Sequence, residues 1–191
     1  MLQETHLTSC LTQEGDSLID RAHNDFKKFG YRCSLSPARI TSKGGTSWGV
    51  AIAWKANRRA IVFDNIVPGR ANGALGSISE IGDIMFISVY GHDGNLLETT
   101  NTMRKITQFL ATVGKPFVIG GDFNHSPESI TGILHELNFP ATVMAPNGST
   151  CQAPQCASCI DFFVVHPKLH ALVTGPPLCH FIGVISPHDP V

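Results

Sequence analysis

Charge is scarce in this sequence: 15% of its 191 residues are charged against 42% apolar, and the formal net charge is −1 at pH 7. That balance excludes an intrinsically disordered chain, which combines low hydrophobicity with high net charge. Long apolar runs are missing too. None approaches the roughly 18–20 residues that cross a bilayer, and the opening MLQETHLTSC has neither the basic n-region nor the apolar h-region of a secretory signal. The expectation is an intracellular protein, not secreted and without membrane contact. Repeats, heptads and low-complexity tracts are also absent, as is any Pro/Gly-rich stretch long enough to link domains. Residues 1–191 are therefore expected to form one domain, its loops marked by 18 Gly and 12 Pro.

The near-neutral total conceals an asymmetry. Residues 21–70 carry Arg21, Lys27, Lys28, Arg32, Arg39, Lys43, Lys55, Arg58, Arg59 and Arg70 against only Asp25 and Asp64, a local charge of +8 that leaves −9 elsewhere. Such a stretch either meets a polyanion or forms a solvated basic face. The six cysteines, Cys10, Cys33, Cys151, Cys156, Cys159 and Cys179, are no evidence for disulfides in an intracellular chain. Cys156 and Cys159, with Cys151 nearby, have metal-ligand spacing, and a zinc site would add Cys179 or His180. Because CQAPQCASC runs straight into the apolar IDFFVV, reduced loop thiols are the preferred reading.

Three segments have helical period and caps. Leu18, Ile19, Ala22, Phe26 and Phe29 recur along one face after Asp16, a candidate N-cap, and before Gly30 as a stop. Leu96, Leu97, Met103, Ile106, Phe109, Leu110 and Val113 form a second stripe, ended by Gly114 and Pro116. In the third, Ser126 caps, Pro127 takes the first helical position, and Ile130, Ile133, Leu134 and Leu137 face inward. Strand-type runs cover residues 31–36, 48–56, 59–65, 83–90, 116–120, 160–165 and 183–186. WGVAIAW and IMFISVY are too apolar for a sheet with one face in water. The pattern is α/β, with helices covering the outer faces of layered sheets.

Polar residues gather where these apolar runs end. Leu2–Glu4 (LQE) closes one strand and Val89–Gly91 (VYG) another. In FVIGGDFN, Asp122 and Asn124 stand two residues apart and share a face if the extended backbone continues, or form an Asx turn before the helix at Pro127. Asp161 begins the apolar run IDFFVV, and ISPHDPV carries His188 and Asp189. Taken together and in this order, LQETHL, VY, GGDFN, S-x-IDFFVV and S-x-H-x-PV resemble the endonuclease/exonuclease/phosphatase superfamily. The pattern is most similar to the apurinic endonuclease-like domains of non-LTR retrotransposons.

The resemblance implies a four-layer α/β/β/α sandwich of the DNase I-like type, lacking here its first strand and part of its last. It also implies a Mg²⁺-dependent phosphodiesterase, with Mn²⁺ as a substitute ion. Glu4 matches the metal-binding glutamate, Asp122 the aspartate that holds or deprotonates the attacking water, and Asn124 the amide that orients Asp122 and donates to phosphate. His188 matches the catalytic histidine and Asp161 the carboxylate that fixes its tautomer. Tyr90 matches a phosphate-contacting tyrosine, and His92 is a further candidate for that contact. The usual Ser-Asp-His-x-Pro reads Ser186-Pro187-His188-Asp189-Pro190 here, so Pro187 replaces a metal-site aspartate, a departure that puts catalysis in question, and Asp189, on the same strand face as position 187, is the candidate to take over part of its role. A basic residue usual before the Ile-Asp strand is Cys159. The expected function is hydrolysis of DNA by a monomeric retroelement-type endonuclease, with the 21–70 segment on the backbone. The alternatives are an inositol phosphate phosphatase or exonuclease of the same superfamily, and a catalytically dead fragment or binding module.

Overall fold

The computed structural model describes residues 2–3, 5, 7–9, 17–40, 46–47, 49–153, 156–173, 175 and 177. The chain divides into two units, Met1–Tyr90 and Gly91–Val191. In chain order, the first contains β1 (Leu2–Gln3), α1 (Leu18–Lys28), β2 (Tyr31–Ser36), β3 (Arg39–Ile40), β4 (Thr46–Ser47), β5 (Val50–Lys55), β6 (Ala60–Val67), β7 (Ala71–Ile78) and β8 (Gly82–Tyr90). β5 lies between β1 and β2, antiparallel to both. β6, β7 and β8 form a second antiparallel meander, and β3 and β4 pair with each other.

Helix α1 starts at a capping box. Asp20 N–H donates to Ser17 Oγ at 3.1 Å, and Ser17 N–H returns a bond to Asp20 Oδ2 at 3.3 Å. The Ser17 hydroxyl, donating to Asp20 Oδ2 at 2.6 Å, and then the Ser17 N–H hold the Asp20 carboxyl below its ordinary pKa. The cap is thus Ser17 and not Asp16, which lies outside the described residues. Gly30, at φ +79°, ends the helix as expected. The apolar stripe does not become core: no α1 residue is buried, and Phe29 is 80% exposed.

A polar network joins the two sheets of this unit. Asn72 of β7 is fully buried, and its amide oxygen accepts from Ser36 Oγ at 2.6 Å and from Asn65 N–H at 2.9 Å. Its Nδ2 donates to Ser34 Oγ at 2.9 Å, and Ser34 Oγ in turn donates to Asp64. The register of β6 against β7 shifts between Phe63 and Val67, and Asn65 sits in that irregularity at φ +56°. The bulge turns the Asn65 N–H out of the ladder and onto Asn72. β7 carries a weak strand signal because ANGALGSI lacks clean alternation and its only β-branched residue is the last, Ile78. Gly73 is closely packed: a Cβ there would displace the ends of the Met85 and Ile66 side chains and press on the Phe86 carbonyl.

The second unit holds α2 (Leu96–Val113), β9 (Phe117–Asp122), α3 (Pro127–Glu136), β10 (Thr142–Met144), β11 (Cys151–Ala153), β12 (Cys156–Ser158), β13 (Asp161–Val165) and α4 (Pro167–His170). β13 pairs antiparallel with β10 and with β9. α2 has the expected bounds, with Gly114 as its left-handed cap. Its buried face differs from the apolar stripe: Leu96 and Leu97 are exposed, while Thr99, Thr100, Thr102 and Thr107 lie buried beside Met103, Ile106 and Leu110. Thr100 and Thr107 satisfy their hydroxyls on the carbonyls of Leu96 and Arg104, which lets threonine act as core. α3 is capped by Ser126 and buries Ile130, Ile133 and Leu134, whereas Leu137 is its half-buried C-cap. Phe123 stacks on Phe162 with centroids 4.4 Å apart. The cysteine-rich segment is a hairpin, β11 against β12, with Cys151 opposite Ser158. Cys151 and Cys159 form no disulfide among the described residues. The strand read at 183–186 lies outside the described residues.

Two outcomes follow from these contacts. Asn72→Ala leaves the Asn65 N–H and both serines short of a partner inside the sandwich and should lower stability by about 3 kcal/mol, read from urea unfolding. His166 caps α4 through Nδ1, which accepts from Lys168 N–H at 3.1 Å. Burial, then the Lys168 charge, holds its pKa below the ordinary imidazole value. The neutral form therefore favours the folded state above about pH 6.5, and that contribution is lost as pH falls through the lower folded value. His166→Asn keeps a capping acceptor and should flatten the fall in the urea midpoint between pH 7.5 and 5.

Candidate active site

The register of β9 and β13 sets two carboxylates side by side. Asp122 is the last residue of β9, Asp161 the first of β13, and the two are Cα partners. Directly opposed residues share one face of a sheet. The adjacent Phe123 N–H donates to Ile160 O at 2.8 Å, so Asp122 and Asp161 form a pair without mutual backbone bonds. In such pairs the Cα atoms stand only about 4.5 Å apart. Both are buried, at 3% and 8% exposure. Two like charges so placed call for positive charge or shared hydrogen bonds.

Beyond Asp122 the extended backbone does not continue. Asn124 takes φ +55° and its N–H donates to Asp122 Oδ1 at 2.7 Å, an Asx turn of the kind the sequence left open. The turn is locked from the side by Gly91. Gly91 N–H donates to Asp122 O at 2.7 Å, and Asn124 Nδ2 donates to Gly91 O at 3.3 Å. The approach is so close that a Cβ on Gly91 would overlap the Phe123 carbonyl. Asp161 is held from the opposite side by Thr150, fully buried, whose Oγ1 accepts from Ile160 N–H at 3.0 Å and from Asp161 N–H at 2.9 Å.

His92 is tied into α2: its N–H donates to Thr99 Oγ1 at 2.9 Å, and its Nε2 lies 3.3 Å from Thr102 Oγ1. In the first unit, Tyr90 ends β8, buried at 8% exposure. The Arg70 guanidinium lies 4.9 Å from the Tyr90 ring centroid. Backbone bonds reinforce the pair, with Tyr90 N–H donating to Arg70 O at 2.9 Å and Arg70 Nη1 donating to Tyr90 O at 3.4 Å. Arg70 is thereby a buried residue and not part of a basic face. Glu4, His188 and Asp189 lie outside the described residues, as does Pro187.

The structure thus brings Asp122, Asn124 and Asp161 together around Gly91 and Thr150. Sequence reading passed over the last two: a glycine after VY and a threonine before a cysteine-rich segment carry no chemical signature of their own. It also stopped one residue short of His125, whose Nε2 is shut off from water without a hydrogen-bond partner among the described residues. The donors that Asp122 and Asp161 offer are hard carboxylate oxygens, which fit a Mg²⁺-type cation. Among the described residues no three His, Cys, Asp or Glu side chains assemble into a metal-holding group.

Substitutions at the turn test this arrangement. Gly91→Ala forces the Asp122–Asn124 segment to move and should cost about 2 kcal/mol or more. Asn124→Ala at positive φ should cost about 1 kcal/mol, and Asn124→Gly, which relieves the strain, clearly less. Urea unfolding of the three variants provides the comparison.

No protein-family model matches the sequence, and no curated protein matches it. Solved structures match it in fold. The endonuclease domain of TRAS1, a telomere-specific non-LTR retrotransposon, is similar with a TM-score of 0.65 at 16% identity, covering 84% of this chain and 76% of that one. The catalytic domain of human Nocturnin gives 0.52 at 13% identity, over 78% and 65%. An endonuclease/exonuclease/phosphatase family protein from Bacteroides thetaiotaomicron gives 0.51 at 16% identity, over 77% and 65%. The chain spans just under two thirds of the latter two. The sheets and helices described above share the α/β fold of these structures.

Proposed function

We propose that this chain is a Mg²⁺-dependent phosphodiesterase that cuts DNA in the manner of a retroelement endonuclease. The supporting observation is the placement of Asp122 opposite Asp161, with Asn124 bonded back to Asp122. Hydrolysis of a phosphodiester needs a positioned water, a base and donors for the charge that builds on the phosphoryl oxygens.

In this reading Asp122 orients the attacking water and takes its proton, and Asn124 donates its amide to a phosphate oxygen. Asp161 fixes the tautomer of His188, which stabilises the developing charge or protonates the leaving oxygen. Tyr90 contributes its hydroxyl to phosphate. His92, with Nε2 close to Thr102 and its N–H bonded to Thr99, supports the loop after Tyr90 and is a secondary phosphate contact. Glu4 holds the ion, with Asp189 as its second carboxylate in place of the residue at Pro187. Mg²⁺, when bound, supplies positive charge to phosphate oxygens, and Mn²⁺ can replace it. Lys27, Lys28, Arg32, Lys55, Arg58 and Arg59 are exposed and provide a DNA-backbone contact that weakens as salt rises.

The purified chain with Mg²⁺ is incubated with a supercoiled plasmid, an abasic-site duplex and an inositol polyphosphate. DNA cleavage is expected, falling about 10²–10⁴-fold in Asp122→Ala and in His188→Ala. Release of phosphate from the inositol polyphosphate alone would move the assignment to a phosphatase. Cleavage of no substrate by folded protein would support the binding-module reading, and unchanged rates in both variants would overturn the site.

A further inference from the structure

The face of β7 that carries Asn72 continues through Ala74 and Gly76. By register, Val62, Ala74 and Phe86 form one row across β6, β7 and β8, and Ala60, Gly76 and Ile84 form the next. Packed sheets stand about 10 Å apart. Asn72 reaches across that distance to Ser34 and Ser36 on β2, but the methyl of Ala74 and the bare backbone of Gly76 do not. A groove of about 440 Å³ results between β5 and the meander, within the range of small-molecule sites.

The lining of this groove has a definite chemistry. Trp54 and Phe86 supply aromatic surface, Ala74 and Gly76 leave the floor flat, and Arg58 and Arg59 stand at the turn from β5 to β6. None of the lining residues is acidic. Phe86 stands four residues before Tyr90 on β8, roughly 13 Å away at ~3.3 Å per residue. The groove is therefore separate from the end of the strand where Tyr90 lies.

We infer that this groove binds a nucleotide, a flat heteroaromatic ring between Trp54 and Phe86 with its phosphate on Arg58 and Arg59. Aromatic side chains stack any base, and arginine forks match phosphate oxygens. An uncharged ring leaves the arginines unused, and a bare phosphate leaves the aromatic slot empty. The nucleotide is either free or part of a single strand, and both share this chemistry. The inference does not depend on hydrolysis, since no residue of the Asp122 turn takes part.

The test uses Trp54 as its own reporter. The chain contains two tryptophans, so Trp48→Phe leaves Trp54 as the sole indole. This protein is titrated without Mg²⁺ with dAMP, a 5′-phosphorylated single-stranded oligonucleotide, adenosine and inorganic phosphate. Saturable quenching by dAMP or the oligonucleotide is expected, the tighter of the two naming the source, with adenosine at least about tenfold weaker and phosphate without effect. A Cβ at Gly76 would meet only the Phe86 ring within 4 Å, at 3.9 Å, so the backbone there accepts a side chain and Gly76→Val places its methyls in the groove. It should weaken binding at least about tenfold, and Arg58→Ala with Arg59→Ala should erase the preference for dAMP over adenosine. No saturable quenching, or quenching indifferent to Gly76→Val in a cooperatively unfolding protein, would overturn the assignment. Because the titration omits Mg²⁺, failed cleavage leaves its outcome intact.

Discussion

The candidate site depends on one pairing: Asp122 lies directly across the β9–β13 ladder from Asp161. A one-residue slip would send one carboxylate to the opposite face. The pairing is fixed on both sides by groups that perform no chemistry. Gly91 meets the backbone of Asp122 and Phe123 where no Cβ fits, and Thr150 collects the amides of Ile160 and Asp161. Stacked Phe123 and Phe162 sit beside the pair. Burying two carboxylates together opposes folding, so this supporting framework holds an arrangement that stability alone would not select.

Much of the fold was legible because its signals are local. Ser126-Pro127 and Gly114-x-Pro116 announce helix ends through backbone geometry that belongs to those residue types. β5 and β8 are apolar on both faces and read as buried strands. What escaped is set by tertiary partners. β7 carries little signal of its own: Met85 and Ile66 crowd Gly73 on one face, and Asn72 on the other is committed to a serine–asparagine network. α1 has a helical apolar period but no buried residue, and α2 buries threonines whose hydroxyls bond back to the helix. In both helices hydrophobic period marks the helix but not how deeply it packs.

At the site, Asp122, Asn124 and Asp161 were legible because their polar side chains stand where apolar strands stop. The shape of the turn was not: extended spacing and an Asx turn were both compatible with GGDFN, and the bond from Asn124 N–H to Asp122 Oδ1 decides for the turn. Arg70 counted toward a basic segment in sequence, yet in three dimensions it is buried against the Tyr90 ring. A linear charge sum does not distinguish a cation in water from one that braces an aromatic ring. Gly91 and Thr150 contribute backbone fit and two accepted hydrogen bonds, properties that exist only once the strands are paired.

The central claim is that Asp122 and Asp161 act as one unit. A double-mutant cycle on Mg²⁺-dependent DNA cleavage tests it, with rates for the unaltered chain, Asp122→Ala, Asp161→Ala and the double variant, each confirmed folded. Residues of one catalytic unit lose their effects non-additively. The account predicts that the double variant is scarcely slower than the slower single variant. Rate losses that simply multiply would show two independent carboxylates and contradict it.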